Sequence, residues 1–394
     1  MILKIIQEIA HVHQDQDVVS RMTESKKLMD IAKLFLKMGT ISFGGPAAHI
    51  AMMEDEVVRK RKWMSQEHFL DLIGATNLIP GPNSTEMTMH CGYERAGWKG
   101  LIVAGMSFLI PAILITGFFA WFYVSYGQLP EVKPFIYGIQ PAVIAIIVMA
   151  AYKLGKKALK SWQLGVLGCL TITACLFGLS EVLALFTCGF TGLLLYFLKV
   201  NQSKLNSFLP FTLAGALPFT GGSIKILLTF LKVGAILYGS GYVLFAFLEA
   251  ELVANDLLTR QELMDAIAIG QFTPGPVLST ATFIGYQLNG LSGAIMATVG
   301  IFLPSFLFVA FLNPLIPRMQ KSKPLRSFLD AVNIGAVAVI IVVCIEMAKE
   351  TTSDWRMMLI AAITLVIVFV FKKLNSAYIV LFGAVFGYAL SLIA

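Results

Sequence analysis

The chain has 394 residues, 57% hydrophobic and 13% charged, with a mean hydropathy of +0.78. A soluble domain carries roughly 25% charged residues, so this composition excludes an ordinary soluble protein and gives an all-α polytopic integral membrane protein. The net charge of +7 sits in short loops between apolar runs, where it reads as a topology signal rather than a nucleic-acid footprint, and no nucleic-acid partner is expected.

Residues 1–30 contain Gln14, Asp15, Gln16, Asp17, Lys26 and Lys27, which is too polar for a signal peptide and reads as a cytoplasmic N-terminal segment. His11 and His13 lack a third ligand, and the five cysteines show no CxxC spacing. No metal and no cofactor are expected. The chain then repeats itself. FLKMGTISFGGP at 35–46 returns as FLKVGAILYGSG at 230–241. Each copy runs through acids (Glu54 and Glu56; Glu249 and Glu251) to a Pro-Gly-Pro at 80–82 or 274–276, then to a glycine-spaced apolar helix with one proline (Pro111 or Pro304). The offset between copies drifts only from 195 to 193 residues. The boundaries expected are a first repeat at 31–198, a linker or additional span at 199–223, and a second repeat at 224–394. Apolar stretches long enough to span a bilayer fall at about 100–124, 134–152, 162–179, 181–198, 289–312, 327–347, 355–371 and 376–393. Internal repeats interrupted by Gly and Pro mark a secondary transporter with its site at the repeat interface.

Matching loops carry opposite charge bias. Arg59–Lys62 holds four cations against a single anion, Asp256, at 254–257. Lys153–Lys160 holds four lysines, whereas 348–354 has Lys349, Glu350 and Asp354. The neutral segment 127–133 answers to one holding Arg318, Lys321, Lys323 and Arg326. Equivalent loops therefore face opposite sides of the membrane, which makes the repeats inverted in topology. For Arg59–Lys62 and Lys153–Lys160 both to be cytoplasmic, residues 31–58 and 66–93 must be re-entrant hairpins broken at Gly44-Gly45-Pro46 and Pro80-Gly81-Pro82. Each arm is then about 13 residues, roughly 20 Å, which reaches mid-bilayer without crossing it.

A helix that starts inside the membrane presents backbone N–H groups without intrahelical partners and a positive dipole end, both suited to an anion. Such backbone survives at that depth only where protein or a water-filled cavity covers it. The candidate substrate-binding residues are Gly44, Gly45, Pro46 and His49; Gly81, Pro82, Asn83, Ser84 and Thr85; Ser240 and Gly241; and Gly275, Pro276, Ser279 and Thr280. Lys37 and Lys232 match across the repeat and either reach inward or snorkel to the interface. Intramembrane ionisable residues default to functional candidates. Glu86 and His90 sit four apart on the arm after the first Pro-Gly-Pro, facing only Thr280 and Ile284 in the second copy, so the first half has the groups for proton coupling. Glu54 and Glu56 are further proton-coupling candidates, or else lie at a hairpin mouth and pair with Arg59, Arg61 or Arg95. No HExxH, GxSxG or phosphate-binding loop appears, so an enzyme is not expected.

Phe43 to Pro46 with His49, then Glu56, Arg61 and Trp63, then Pro80 to Pro82 and the Gly97/Gly100 helix, resemble the chromate ion transporter family. The resemblance covers about residues 31–390, and is to the long, two-domain members with oppositely oriented halves. The second copy departs from the pattern, with Gly241, Leu244 and Leu257 in place of the proline, histidine and tryptophan. The resemblance implies export of chromate across a prokaryotic plasma membrane, with chromate resistance as the outcome. Sulfate is the analogue such a site must confront. A passive anion channel and a transporter of sulfate or another oxyanion are the alternatives. A homodimer is compatible with the sequence.

Overall fold

The computed structural model describes residues 24–43, 45–127, 129, 132–200, 222–238, 241, 243–312, 315, 319, 321–352, 354–371 and 374–392. Residues 1–23 and 201–221, which hold most of the expected N-terminal segment and linker, lie outside the described residues, as do Gly44 and Ser240. The described elements are helical, seven to each repeat. In the first they are α1 (24–41), α2 (Pro46–Met53, continued by a π-helical stretch Glu54–Lys60), α3 (Gln66–Thr76), α4 (Asn83–Tyr126), α5 (Lys133–Ala158), α6 (Trp162–Leu176) and α7 (Glu181–Val200). The second repeats the series as α8 (Gly222–Ile236), α9 (Val243–Leu248, continued by Glu249–Val253), α10 (Arg260–Phe272), α11 (Thr280–Leu312), α12 (Lys323–Thr351), α13 (Trp355–Val370) and α14 (Ser376–Ser391). Five helices among the described residues are long and apolar enough to cross a membrane, and α6, α13 and α14 are shorter apolar helices. Large side chains such as Leu114, Phe118 and Val124 face outward, as a lipid-facing surface requires.

α5 and its counterpart α12 run antiparallel along their length. Lys160 Nζ meets Asp330 Oδ1 at 2.6 Å at one end, and the Tyr137 hydroxyl donates to Asp354 at the other. That hydroxyl, with the Arg356 backbone N–H, holds the Asp354 carboxyl below the usual carboxylate range. Two equivalent helices that are antiparallel are related by an axis perpendicular to them. For membrane-crossing helices that axis lies in the membrane plane, so the repeats are inverted. The rest of the packing obeys the same axis: α14 lies on α5, as α7 lies on α12. Both contacts depend on small residues. A Cβ on Gly138 would fall 2.1 Å from the Gly383 carbonyl oxygen, and one on Gly192 would fall 2.2 Å from Ala331 Cβ.

The short helices form re-entrant hairpins. α1 and α2 meet at Lys37 and Glu56 (3.7 Å), and α3 and the first arm of α4 meet at His68 and Glu94 (3.1 Å). The second repeat closes its first hairpin the same way, with Lys232 and Glu251 at 2.5 Å. Within α4 the chain also reverses at Ala96 and Gly97, so that the arm 83–95 doubles back on 98–126. Gly97 has φ of +58°, a left-handed conformation that favours glycine, and Gly290 repeats it at +55° in α11. The two arms touch at Gly92 and Gly100, where an added Cβ would lie 2.3 and 2.0 Å from the opposing carbonyl oxygen. Sequence reading separated the hairpin arm ending at 93 from the span beginning near 100, but kept Gly97 in the helix and did not place the turn there.

Candidate anion site

The four helix breaks converge, and each Pro-Gly-Pro loop docks on the other repeat. Gly81 N–H donates to the Leu237 carbonyl at 2.7 Å, and Gly275 N–H donates to the Ser42 carbonyl at 2.9 Å. These are the same bond written twice, since Ser42 and Leu237 are equivalent positions just before the Gly44-Gly45-Pro46 and Ser240-Gly241 breaks. A Cβ on Gly241 would lie 3.3 Å from Leu278 Cδ1, which brings the second repeat's own break beside its Pro-Gly-Pro arm. The proline rings remove donors and fix φ, so the chain cannot run on as helix and restarts at Pro46, Asn83 and Val277. None of these three helix starts carries a side-chain cap among the described residues. They present their N-termini to one region, with Val277 buried and Pro46 and Asn83 half-buried.

The side chains there are polar and buried. Ser84, Thr85, Ser279 and Thr280 are at most 1% exposed. Thr116 donates to Ser279 Oγ at 3.1 Å, leaving the Ser279 hydroxyl proton for another acceptor, while Thr280 Oγ1 is taken by the Val277 carbonyl at 2.8 Å. Asn83 stands at the edge and donates to Asn77 Oδ1 at 2.9 Å. His49 is fully buried in the first break, its Nε2 3.2 Å from the Ser42 carbonyl oxygen and its ring edge-on to Phe108. Glu86 is fully buried, and neither of its carboxyl oxygens has a hydrogen-bond partner among the described residues. The same holds for both ring nitrogens of His90. An unpartnered buried polar group costs about 1–3 kcal/mol, and more when charged, so a fold that keeps several of them in one place has a use for them. The Gly81 cradle sits against this carboxyl: a Cβ there would fall 2.2 Å from Glu86 Oε1 and 2.5 Å from Ser305 Oγ.

Other candidates stand apart from the breaks. Lys37 and Lys232 are more than half exposed at the hairpin mouths, paired with Glu56 and Glu251. Glu56 also meets Lys60 and Arg61, and Glu54 meets Arg59 at 3.3 Å. The Arg95 guanidinium lies over the Trp63 ring at 5.3 Å. Sequence reasoning missed Ser305 and Thr116, which reach each break from the other repeat. It also missed a buried network in which Asp265 accepts from Tyr123 (2.6 Å) and Gln140 (2.8 Å). Among the described residues no group of three His, Cys, Asp or Glu side chains is placed to hold a metal.

Comparison with known proteins agrees with this architecture. The sequence model of the chromate transporter family matches twice, at residues 29–193 and 224–388. A chromate transport protein of Cupriavidus metallidurans is 31% identical over 376 residues, covering 91% of this chain and 92% of its own. A probable chromate transport protein of Synechococcus elongatus is 29% identical, covering 95% and 98%. A chromate transport protein of Pseudomonas aeruginosa is 30% identical, covering 80% of each chain. No solved structure matches significantly. With two copies of the family's unit built on an inverted, all-helical membrane scaffold, this chain belongs to the chromate transporter family.

Proposed function

We propose that this protein is a secondary active transporter that exports an oxyanion, chromate by family, across the plasma membrane of a prokaryote, with proton coupling through the first repeat and chromate resistance as its consequence. The observation that carries the reading is the convergence of the breaks: cross-repeat bonds from Gly81 to Leu237 and from Gly275 to Ser42 hold uncapped helix starts around one buried region. Backbone N–H groups and hydroxyls there suit a tetrahedral dianion, because each hydrogen bond to an ionised group contributes roughly 1.5–3 kcal/mol. Among the described residues no lysine or arginine is buried at the site to cancel the charge. A neutral Glu86 lets the dianion approach, and an ionised one repels it, so proton and anion occupancy favour each other. Glu86 and His90 have no titratable counterparts in the second repeat, which carries Thr280 and Ile284 there.

Purified protein in liposomes tests this. Chromate should accumulate against its concentration gradient when a pH gradient is imposed, and sulfate should compete. Flux that only dissipates the chromate gradient, whatever the pH difference, would make the protein a channel.

A further inference from the structure

A cavity of about 380 Å³ lies between the C-terminal end of α5, the N-terminal end of α12 and the tips of two re-entrant hairpins. Its inner wall is made of residues that flank two of the breaks. Asn77 lines it, and Asn77 accepts a hydrogen bond from Asn83, the first residue of the helix after Pro82. Val243, which opens α9 just past the Gly241 break, lines it from the other repeat. Its outer wall is cationic. Lys157, Lys160 and Arg326 all face it, with Asp330 as the one carboxylate in the lining. Asp330 is engaged by Lys160 at 2.6 Å, while Lys157 and Arg326 have no carboxylate partner among the described residues. At the other end of the same helix pair the equivalent clasp is Tyr137 with Asp354, a hydroxyl where this end has an ammonium. Lys157 and Arg326 thus bring two positive charges to this wall with no carboxylate partner among the described residues.

We infer that this cavity is a loading vestibule for divalent inorganic oxyanions, a first binding site that draws the anion from the lysine-rich side and passes it to the two breaks next to its inner wall. The inference rests on reading the breaks as the central anion site. Lys153–Lys160 and the segment around Arg326 each carry four cations, a bias that places this end at the cytoplasm, where an exporter must load. Clefts of about 300–1,000 Å³ are the usual size of ligand sites, and an anion of a few heavy atoms fits here with much of its hydration shell. Cations lining a cleft with low-dielectric walls raise the local anion concentration and the on-rate, by 10- to 1,000-fold in steered systems. The vestibule attracts by charge and leaves selection to the hydrogen-bond donors at the breaks.

Thiol accessibility tests this apart from transport. In a variant with the five native cysteines replaced, Asn333→Cys puts a thiol on the vestibule wall. Inside-out and right-side-out membrane vesicles are then treated with membrane-impermeant methanethiosulfonates of opposite charge. The vestibule requires modification from the cytoplasmic side only, with the anionic reagent faster than the cationic one by about tenfold or more. Adding Lys157→Gln and Arg326→Gln should abolish that preference, and sulfate should slow the anionic reagent. Equal rates for the two reagents, or a preference that survives both neutralisations, would overturn the vestibule. A preference that behaves as required in a protein whose reconstituted form moves no oxyanion would uphold the vestibule and overturn the central site. A background control, Leu154→Cys with the same reagents, guards against misfolding of the Asn333 variant, and it must give the same charge preference.

Discussion

After Pro82 the first repeat places Glu86 and His90 on its helix, both buried and unpartnered among the described residues; after Pro276 the second places Thr280 and Ile284, with Thr280 bonded to its own turn at 2.8 Å. The backbones around them are the same. Both Pro-Gly-Pro loops donate to the same carbonyl of the opposite repeat, and both glycines hold positive φ, +141° at Gly81 and +91° at Gly275. What was duplicated is the cradle of helix starts, and what was not duplicated is the titratable chemistry. An anion cradle gains from symmetry, since donors from two sides surround one ligand. A proton site gains nothing from a second copy unless two protons must move.

Variants that fill the shared cradle should have the largest effect. Gly81→Leu and Gly275→Leu each put a side chain where even a Cβ falls 2.2 Å from Glu86 Oε1 or 2.7 Å from Ala112 Cβ, in a φ region that strains any L residue. Each should abolish transport, and a variant that transports normally would show that the loops are not part of the path. The next largest effect separates the repeats. Glu86→Gln keeps the shape of the side chain but removes its proton, so flux should persist at reduced rate and lose its dependence on pH. Retained pH dependence would return Glu86 to a structural role, with His90 the next group to replace.

A smaller effect distinguishes two acids that match across the repeat. Asp265 is 4% exposed and accepts from Tyr123 and Gln140, whereas its counterpart Asp71 is exposed. Asp265→Asn turns one acceptor oxygen into a donor that faces another donor, at a loss of about 1–3 kcal/mol in stability. Asp71→Asn should leave the melting temperature in detergent within error. Equal shifts would show that burial is not what sets the two apart. The smallest effect belongs to the hairpin mouths. Lys232→Gln breaks an ion pair whose lysine is more than half exposed, which contributes about 0–1 kcal/mol, and transport should be nearly unchanged.

Much of this was legible in the chain because it is local. Gly and Pro interrupting apolar runs gave the hairpins and a mouth position for Glu54 and Glu56, whereas the pairing of Lys37 with Glu56 and of Lys232 with Glu251 is seen only in the fold. Reversed loop charges gave the inversion that the antiparallel α5 and α12 display. The position of the turn at Gly97 was hidden, because a helix that doubles back leaves the same local composition as one that continues. Ser305 and Thr116 were hidden for another reason. Each serves a break in the other repeat, Thr116 from 163 residues away, and no periodicity reports a contact at that distance. The Asp265 network likewise joins residues 125 and 142 apart.

Equilibrium binding of chromate to the purified protein, compared among wild type, Ser84→Ala, Ser279→Ala and the double variant, tests most directly whether both repeats hold one anion. Each hydroxyl is buried at its own break, and losing one hydrogen bond to an ionised group should weaken binding by about tenfold, at 1.4 kcal/mol per decade. The account predicts a comparable loss from either single variant, and in the double a loss of about a hundredfold. Unchanged affinity in both single variants, or a loss confined to one repeat, would contradict it.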